Sequence, residues 1–294
     1  MPLNILLLLG CGTWWGFSFA LSRIVMEGGQ NPLVIAFWQS AGSAALVWGG
    51  FAVMGKMPRI DMVFVRYSLM IGALGGAIPS ALLYWAVAHV GAGVLSVCMA
   101  TVPLMQFGFS AALGLERARP LRFVGIAIGL AAVFVIARPD GGAAQVLWVA
   151  VAMGAGFSYV LEEAFIAGRR PENISPGATM AGMVLASAVF LSPALLFADA
   201  PLPFAVLSPG PREWALGAFI LGSPVIYGGF VWLIMRAGPV FSAQVAYVVT
   251  IAGVVGGVWF LGEAYEGGFW LAHAMMIVAL ALGLPGGRAV KAIP

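Results

Sequence analysis

Polar and aromatic side chains are scarce inside the apolar stretches of this chain, so the few that occur there are the candidates for chemistry. In the first half they are Trp15 and Ser18, Trp38 and Gln39, Ser80 and Tyr84, and Met99. In the second half they are Ser158 and Tyr159, Tyr227, Gln244 and Tyr247. Hydroxyls and amides can orient a zwitterion, while aromatic faces can hold an ammonium group or an apolar side chain. Together these residues are expected to line a small-molecule pocket. Gln39, Gln244 and Tyr84 stand out, because a polar head inside a helical bundle needs a partner. Ordinary packing is the competing account for any single aromatic.

Charge is rarer still. Asp61, Asp140 and Asp199 fall in connections, and Glu116 and Glu263 end their apolar runs. Glu162 and Glu163 lie within a run, followed closely by Arg169 and Arg170, which points to an ion network near the membrane surface, with a coupling role for the two glutamates as the second reading. Without a carboxylate at mid-membrane, the chain reads as a facilitator or a weakly coupled carrier. His89 and His273, like Cys11 and Cys98, are isolated, so no metal site, disulfide or cofactor is expected. His89 neighbours the turn "HVGAG" and is expected to cap or seat it. HExxH and GxxxxGK[ST] are both absent, which removes a zinc protease and a P-loop pump from consideration. The chain is therefore not expected to be an enzyme. A channel is the nearer alternative to a carrier, and an intramembrane enzyme the more distant one.

The elements that must hold these residues are unusual. "IGALGGAIPSALLYW" (71–85) puts Gly75, Gly76 and Pro79 in the middle of an apolar run, although each weakens a helix. Pro103 and Pro224 sit similarly in other runs. Broken backbone at membrane depth is tolerated where it is buried in protein or lines a cavity, so these five residues are candidate hinges. The chain is 62% hydrophobic and 9% charged, with a mean hydropathy of +1.02, far from a soluble composition. Ten apolar runs stand out: 3–23, 33–54, 63–88, 92–115, 121–137, 145–168, 177–198, 213–235, 239–262 and 268–287. The expected fold class is an all-α polytopic membrane protein with ten transmembrane helices. Its start is expected to be a retained first span rather than a cleaved signal. The longest connection, 198–213, is rich in proline and reads as a surface linker.

The halves also repeat faintly. "GFS" at 16–18 recurs at 156–158, Pro79 is answered by Pro224, Trp85 by Trp232, and Glu116 by Glu263, at offsets of 140, 145 and 147 residues. Two five-helix units, 1–138 and 139–294, would then form one inverted repeat within a single membrane domain. Eleven of the 14 basic residues fall in alternate connections that include both termini, so both termini are expected in the cytoplasm. That asymmetry accounts for the net charge of +3, and nucleic-acid binding is not expected. Glycine pairs at GxxxG spacing, such as Gly12/Gly16, Gly72/Gly76, Gly125/Gly129 and Gly253/Gly257, are expected to let helices approach closely inside the bundle. The oligomeric state stays open.

"WWGFSFALSR" (14–23), the block "LLYWAVAHVGAGVLSVCMATVPLMQFGFSAALGLERARPLRFVGIAIGLAAVFVI" (82–136), and "WLIMRAGPVFSAQVAYVVTIAGVVGGVWFLGEAYEGGFW" (232–270) carry a resemblance. The chain resembles the drug/metabolite transporter superfamily, and within it the EamA-type exporters. The resemblance implies ten spans, a five-plus-five inverted repeat, alternating access and export of small metabolites across a bacterial inner membrane. Among these exporters it looks closest to amino-acid exporters of the YddG kind. It departs from the family pattern at Trp38-Gln39, where an arginine is common, and at Thr250, the counterpart of Pro103.

Overall fold

A computed structural model describes residues 2–27, 31–112, 120–137, 142–197, 209–237 and 244–283. Among these residues the secondary structure is entirely helical. The first half contains α1 (Pro2–Met26), α2 (Pro32–Val53), α3 (Met62–Gly72), a π-helical segment (Ala73–Ala77), α4 (Ile78–Val87), α5 (Ala92–Met99) and α6 (Val102–Ala112), then α7 (Pro120–Ala137). The second half contains α8 (Gly142–Arg169), α9 (Pro176–Leu191), α10 (Pro211–Ala237), α11 (Val245–Leu261) and α12 (Gly267–Gly283).

Local chemistry sets many of the helix starts. Asn31 accepts a hydrogen bond from the Leu33 amide ahead of Pro32, Asp61 accepts from the Phe64 amide, and Ser175 accepts from the Ala178 amide ahead of Pro176. Each side chain satisfies an amide that the first helical turn leaves unpaired, and proline at the first position loses nothing.

The expected ten transmembrane helices are corrected by the structure. Among the described residues six helices are long and apolar enough to cross a membrane: 2–26, 32–53, 62–87, 92–112, 144–166 and 176–196. The runs 121–137, 239–262 and 268–287 appear as shorter apolar helices, Pro120–Ile136, Val245–Leu261 and Gly267–Leu282. An unbroken helix needs about 20 residues to cross a core of roughly 30 Å, and these fall short of it. Residues 239–243 and 284–287 of two of those runs lie outside the described residues. The run at 213–235 folds as α10 around Pro224 and is not among the six. An apolar run counts residues, whereas a span requires continuous helix, and the five-plus-five reading fails on that difference. Most of the connection 198–213, together with Glu116, Asp140 and Asp199, also lies outside the described residues.

What stands is an all-α, polytopic bundle embedded in a lipid bilayer. In it α1 packs against α11 and α10, α2 and α3 against α9, α4 against α8, α5 against α11, and α7 against α12. Lipid is as apolar as leucine, so close backbone approach, rather than exclusion of water, must hold such helices together. A Cβ at Gly16 would lie 2.5 Å from Ala252 Cβ on α11, and one at Gly72 would lie 2.4 Å from Ala186 Cβ on α9. The glycine pairs of the sequence are thus used inside the chain.

Candidate functional site

The stretch 71–85 resolves as a helix that widens rather than breaks. In the π segment the Ile78 amide bonds to the Ala73 carbonyl, five residues back. The next amide in that register would bond to the Leu74 carbonyl, but residue 79 is a proline and has none. Ser158 Oγ on α8 fills the vacancy, donating to Leu74 O at 2.6 Å. On the other side, Ser187 Oγ of α9 lies 2.9 Å from Gly72 O. A polar group freed at membrane depth thus finds its partner in a neighbouring helix.

Beyond this segment, α4 carries Tyr84, which is buried and donates from its hydroxyl to Gln39 Oε1 on α2 at 2.9 Å. Phe219 of α10 lies 6.3 Å from the Tyr84 ring. Trp15, Trp38, Met99, Tyr159 and Tyr247 belong to the same core cluster as Tyr84. Trp15 meets Phe230 edge-on at 4.7 Å, and Trp38 meets Phe37 at 5.2 Å. The Tyr247 hydroxyl is buried and has no hydrogen-bond partner among the described residues. Ser80 is half-buried on α4, and Gln244 is the residue that precedes α11.

Other expected residues sit elsewhere or are already engaged. Ser18 donates to the Trp15 carbonyl within its own helix at 2.7 Å, and Ser158 serves the π segment. Pro103 falls in the first turn of α6, just after a break at Ala100 and Thr101, where Thr101 Oγ1 donates to Cys98 O at 2.6 Å. Pro224 lies inside α10, which continues through it. Tyr227 packs against a second cluster built on Phe64, Tyr67 and Ile71, and donates to Glu162 Oε1 at 3.3 Å. Glu162 is buried, whereas Glu163 beside it is exposed. The partner of Glu162 is therefore a tyrosine rather than Arg169 or Arg170; Arg170 donates to Ile174 O at 3.4 Å.

One cluster escaped notice in the sequence. Gly262, at φ +65°, ends α11 and turns Glu263 back onto α5. There the carboxylate accepts from the Ala92 amide at 2.8 Å and the Gly93 amide at 3.3 Å, capping the helix start, and also accepts from the Tyr265 hydroxyl. Burial, and then the Glu263 carboxylate, push the Tyr265 phenol above its ordinary range, so it remains a donor. The signal was present in the pattern "VGAG": a Cβ at Gly93 would lie 2.3 Å from the Tyr265 hydroxyl. His89 donates from Nδ1 to the Trp85 carbonyl at 2.8 Å and stacks on Trp148, as a cap near that turn should. An apolar cavity of about 250 Å³ between α6, α7 and α8, lined by Leu104, Met105, Phe109, Ile126, Leu130 and Phe157 among others, takes in none of the expected binding residues.

Residues 2–138 match the EamA-like transporter family. The uncharacterized inner membrane transporter YedA of Escherichia coli strain K12 is 28% identical to it over 274 residues, covering 91% of this chain and 86% of that protein. The YedA proteins of strains O6:H1 and O157:H7 match to the same extent. A crystal structure of a protein 19% identical in sequence shares the fold, with a TM-score of 0.59 over 92% of this chain and 97% of that one. The matched family is one of transporters and the relatives are named as inner membrane transporters, while the chain's own described helices make it a multi-pass membrane protein.

Proposed function

We propose that this protein is an EamA-type secondary transporter that exports small metabolites, with amino acids as the substrate class, across a bacterial inner membrane by alternating access. The observation that carries the reading is the Tyr84–Gln39 hydrogen bond, a neutral polar pair of a buried phenol and a half-buried amide at a core otherwise built of aromatic and aliphatic groups. A phenol and an amide can trade their mutual bond for bonds to a carboxylate and an ammonium, without leaving a charge stranded. Trp15, Trp38 and Tyr159 supply faces for an ammonium or an apolar side chain. The unpartnered Tyr247 hydroxyl adds a donor, and Met99 an adaptable wall. Ser80 and Gln244 complete the polar lining, with Tyr227 as a further donor. Gly75, Gly76 and Pro79 provide the bending element, with Pro103 and Pro224 as further joints. A division of the chain near residue 138, cytoplasmic termini and kinship with exporters of the YddG kind belong to the same reading.

The test is counterflow. Proteoliposomes preloaded with an unlabelled amino acid should take up the labelled one saturably, and a channel would conduct without counter-substrate. Failure of every amino acid to exchange, with folded protein, rejects the substrate class.

A further inference from the structure

Ser158 and Glu162 stand one helical turn apart on α8 and meet the same π segment. Ser158 donates to Leu74 O, and the Glu162 carboxyl lies against Gly75, where a Cβ would come within 2.0 Å of Glu162 Cδ. Glycine at 75 is what leaves room for the acid. Glu162 is 4% exposed, and its described hydrogen bond is the one from Tyr227 on α10. Nearby, the buried Tyr67 hydroxyl of α3 faces both Glu162 and Thr179 of α9. Tyr67 and Thr179 are each at least nine-tenths buried.

The charged and titratable groups that face this carboxyl are few. Glu163 and Tyr159 come from α8 itself, Tyr227 from α10 and Tyr67 from α3. Arg170, at the end of the same helix, interacts with Tyr67, and Tyr84 on α4 faces Tyr159. A carboxylate held among tyrosines, away from water, is costly as an anion unless it is neutralised or fully hydrogen-bonded. The Tyr227 and Tyr67 hydroxyls can serve either form: as donors to the anion, or as acceptors of the acid's own O–H.

We propose that Glu162 is a proton-binding site of the transport cycle, and that its loading is read by the hinge through the contact with Gly75. The inference rests on the carrier reading above. One proton taken up from the outer aqueous phase binds a Glu162 carboxylate oxygen and is released to the cytoplasm as one substrate molecule leaves. No other reactant is needed. In the anionic form the carboxylate needs the Tyr227 and Tyr67 hydroxyls turned toward it. In the neutral form that demand lapses and the contact with the π segment loosens.

Two measurements decide it. The first needs no substrate: infrared difference spectra of the full-length protein in lipid, recorded on acidification, should show a carboxylic C=O band in the wild type and in the exposed-loop control Glu172→Gln, and lose it in Glu162→Gln. Tyr227→Phe, which keeps the ring in place, should displace the midpoint of that band, and this second variant serves if Glu162→Gln does not insert. The second is transport in proteoliposomes. With one proton per substrate, a gradient of one pH unit drives accumulation of at most about tenfold. Wild type should approach this, while Glu162→Gln keeps counterflow and its accumulation ratio falls to the gradient-free value. A band that survives in Glu162→Gln, a midpoint unmoved in Tyr227→Phe, or a full gradient response in Glu162→Gln overturns the proposal. Absence of counterflow in wild type would instead reject the carrier reading, and the infrared band would still decide whether Glu162 titrates.

Discussion

Tyr84 and Gln39 satisfy one another, so removing Gln39 leaves a buried phenol unpaired and removing Tyr84 leaves a half-buried amide unpaired. Tyr84→Phe strands Gln39 Oε1, and an unsatisfied buried acceptor costs roughly 1–3 kcal/mol. The apparent substrate affinity in counterflow should fall by about tenfold or more, with a lower melting temperature. If transport is unchanged, the pair is scaffolding and the binding site lies elsewhere. Ser158→Ala removes the hydroxyl that serves Leu74 O and should lower stability by about 1 kcal/mol, read as a drop in thermal midpoint. Gly75→Ala is the harsher change, because its Cβ would occupy the space of the Glu162 carboxyl; it should melt below Ser158→Ala. At this scale the sequence was partly legible. A polar head in an apolar run announced that Tyr84 and Gln39 needed partners, but not that they were each other's. Ser18 and Ser158 both bond backbone carbonyls, Ser18 that of Trp15 in its own helix and Ser158 that of Leu74 in a distant one, and only the first acceptor is near in sequence.

The elements divide into those that begin and end by local rules and those that depend on distant groups. The turn-rich connections around Asp61 and Ser175 were readable as helix boundaries, because proline and the small polar residues there act within a few positions. The π segment was readable only as a conflict. Its resolution needed Ser158, 84 residues further along the chain. The start of α5 depends on Glu263, 171 residues away. Glu263→Ala should therefore speed hydrogen exchange at the Ala92 and Gly93 amides selectively, while exchange across α2 is unchanged. Gly262→Ala forces a side chain into the left-handed region at about 1–2 kcal/mol and should mimic part of that effect, because it misdirects Glu263. If exchange at those amides does not change in either variant, the carboxylate is not the cap.

For the whole molecule, hydropathy made the membrane class legible and overstated the spans. Composition reports how much apolar chain there is, while crossing depends on where each helix starts and stops. The basic cluster Lys56, Arg59 and Arg66 that follows the second span predicts that a reporter fused to the amino end will fluoresce in the cytoplasm, and that an alkaline phosphatase fused there will be inactive. An active phosphatase fusion there rejects that orientation. The two long-range partnerships described above have a further consequence. Backbone groups in the amino-terminal part of the chain, Leu74 O and the amides of Ala92 and Gly93, are satisfied by side chains encoded beyond residue 138. A gene cut near that codon would yield two pieces that are degraded when made singly and protect one another when co-expressed, with complementation failing when the second piece carries both Ser158→Ala and Glu263→Ala.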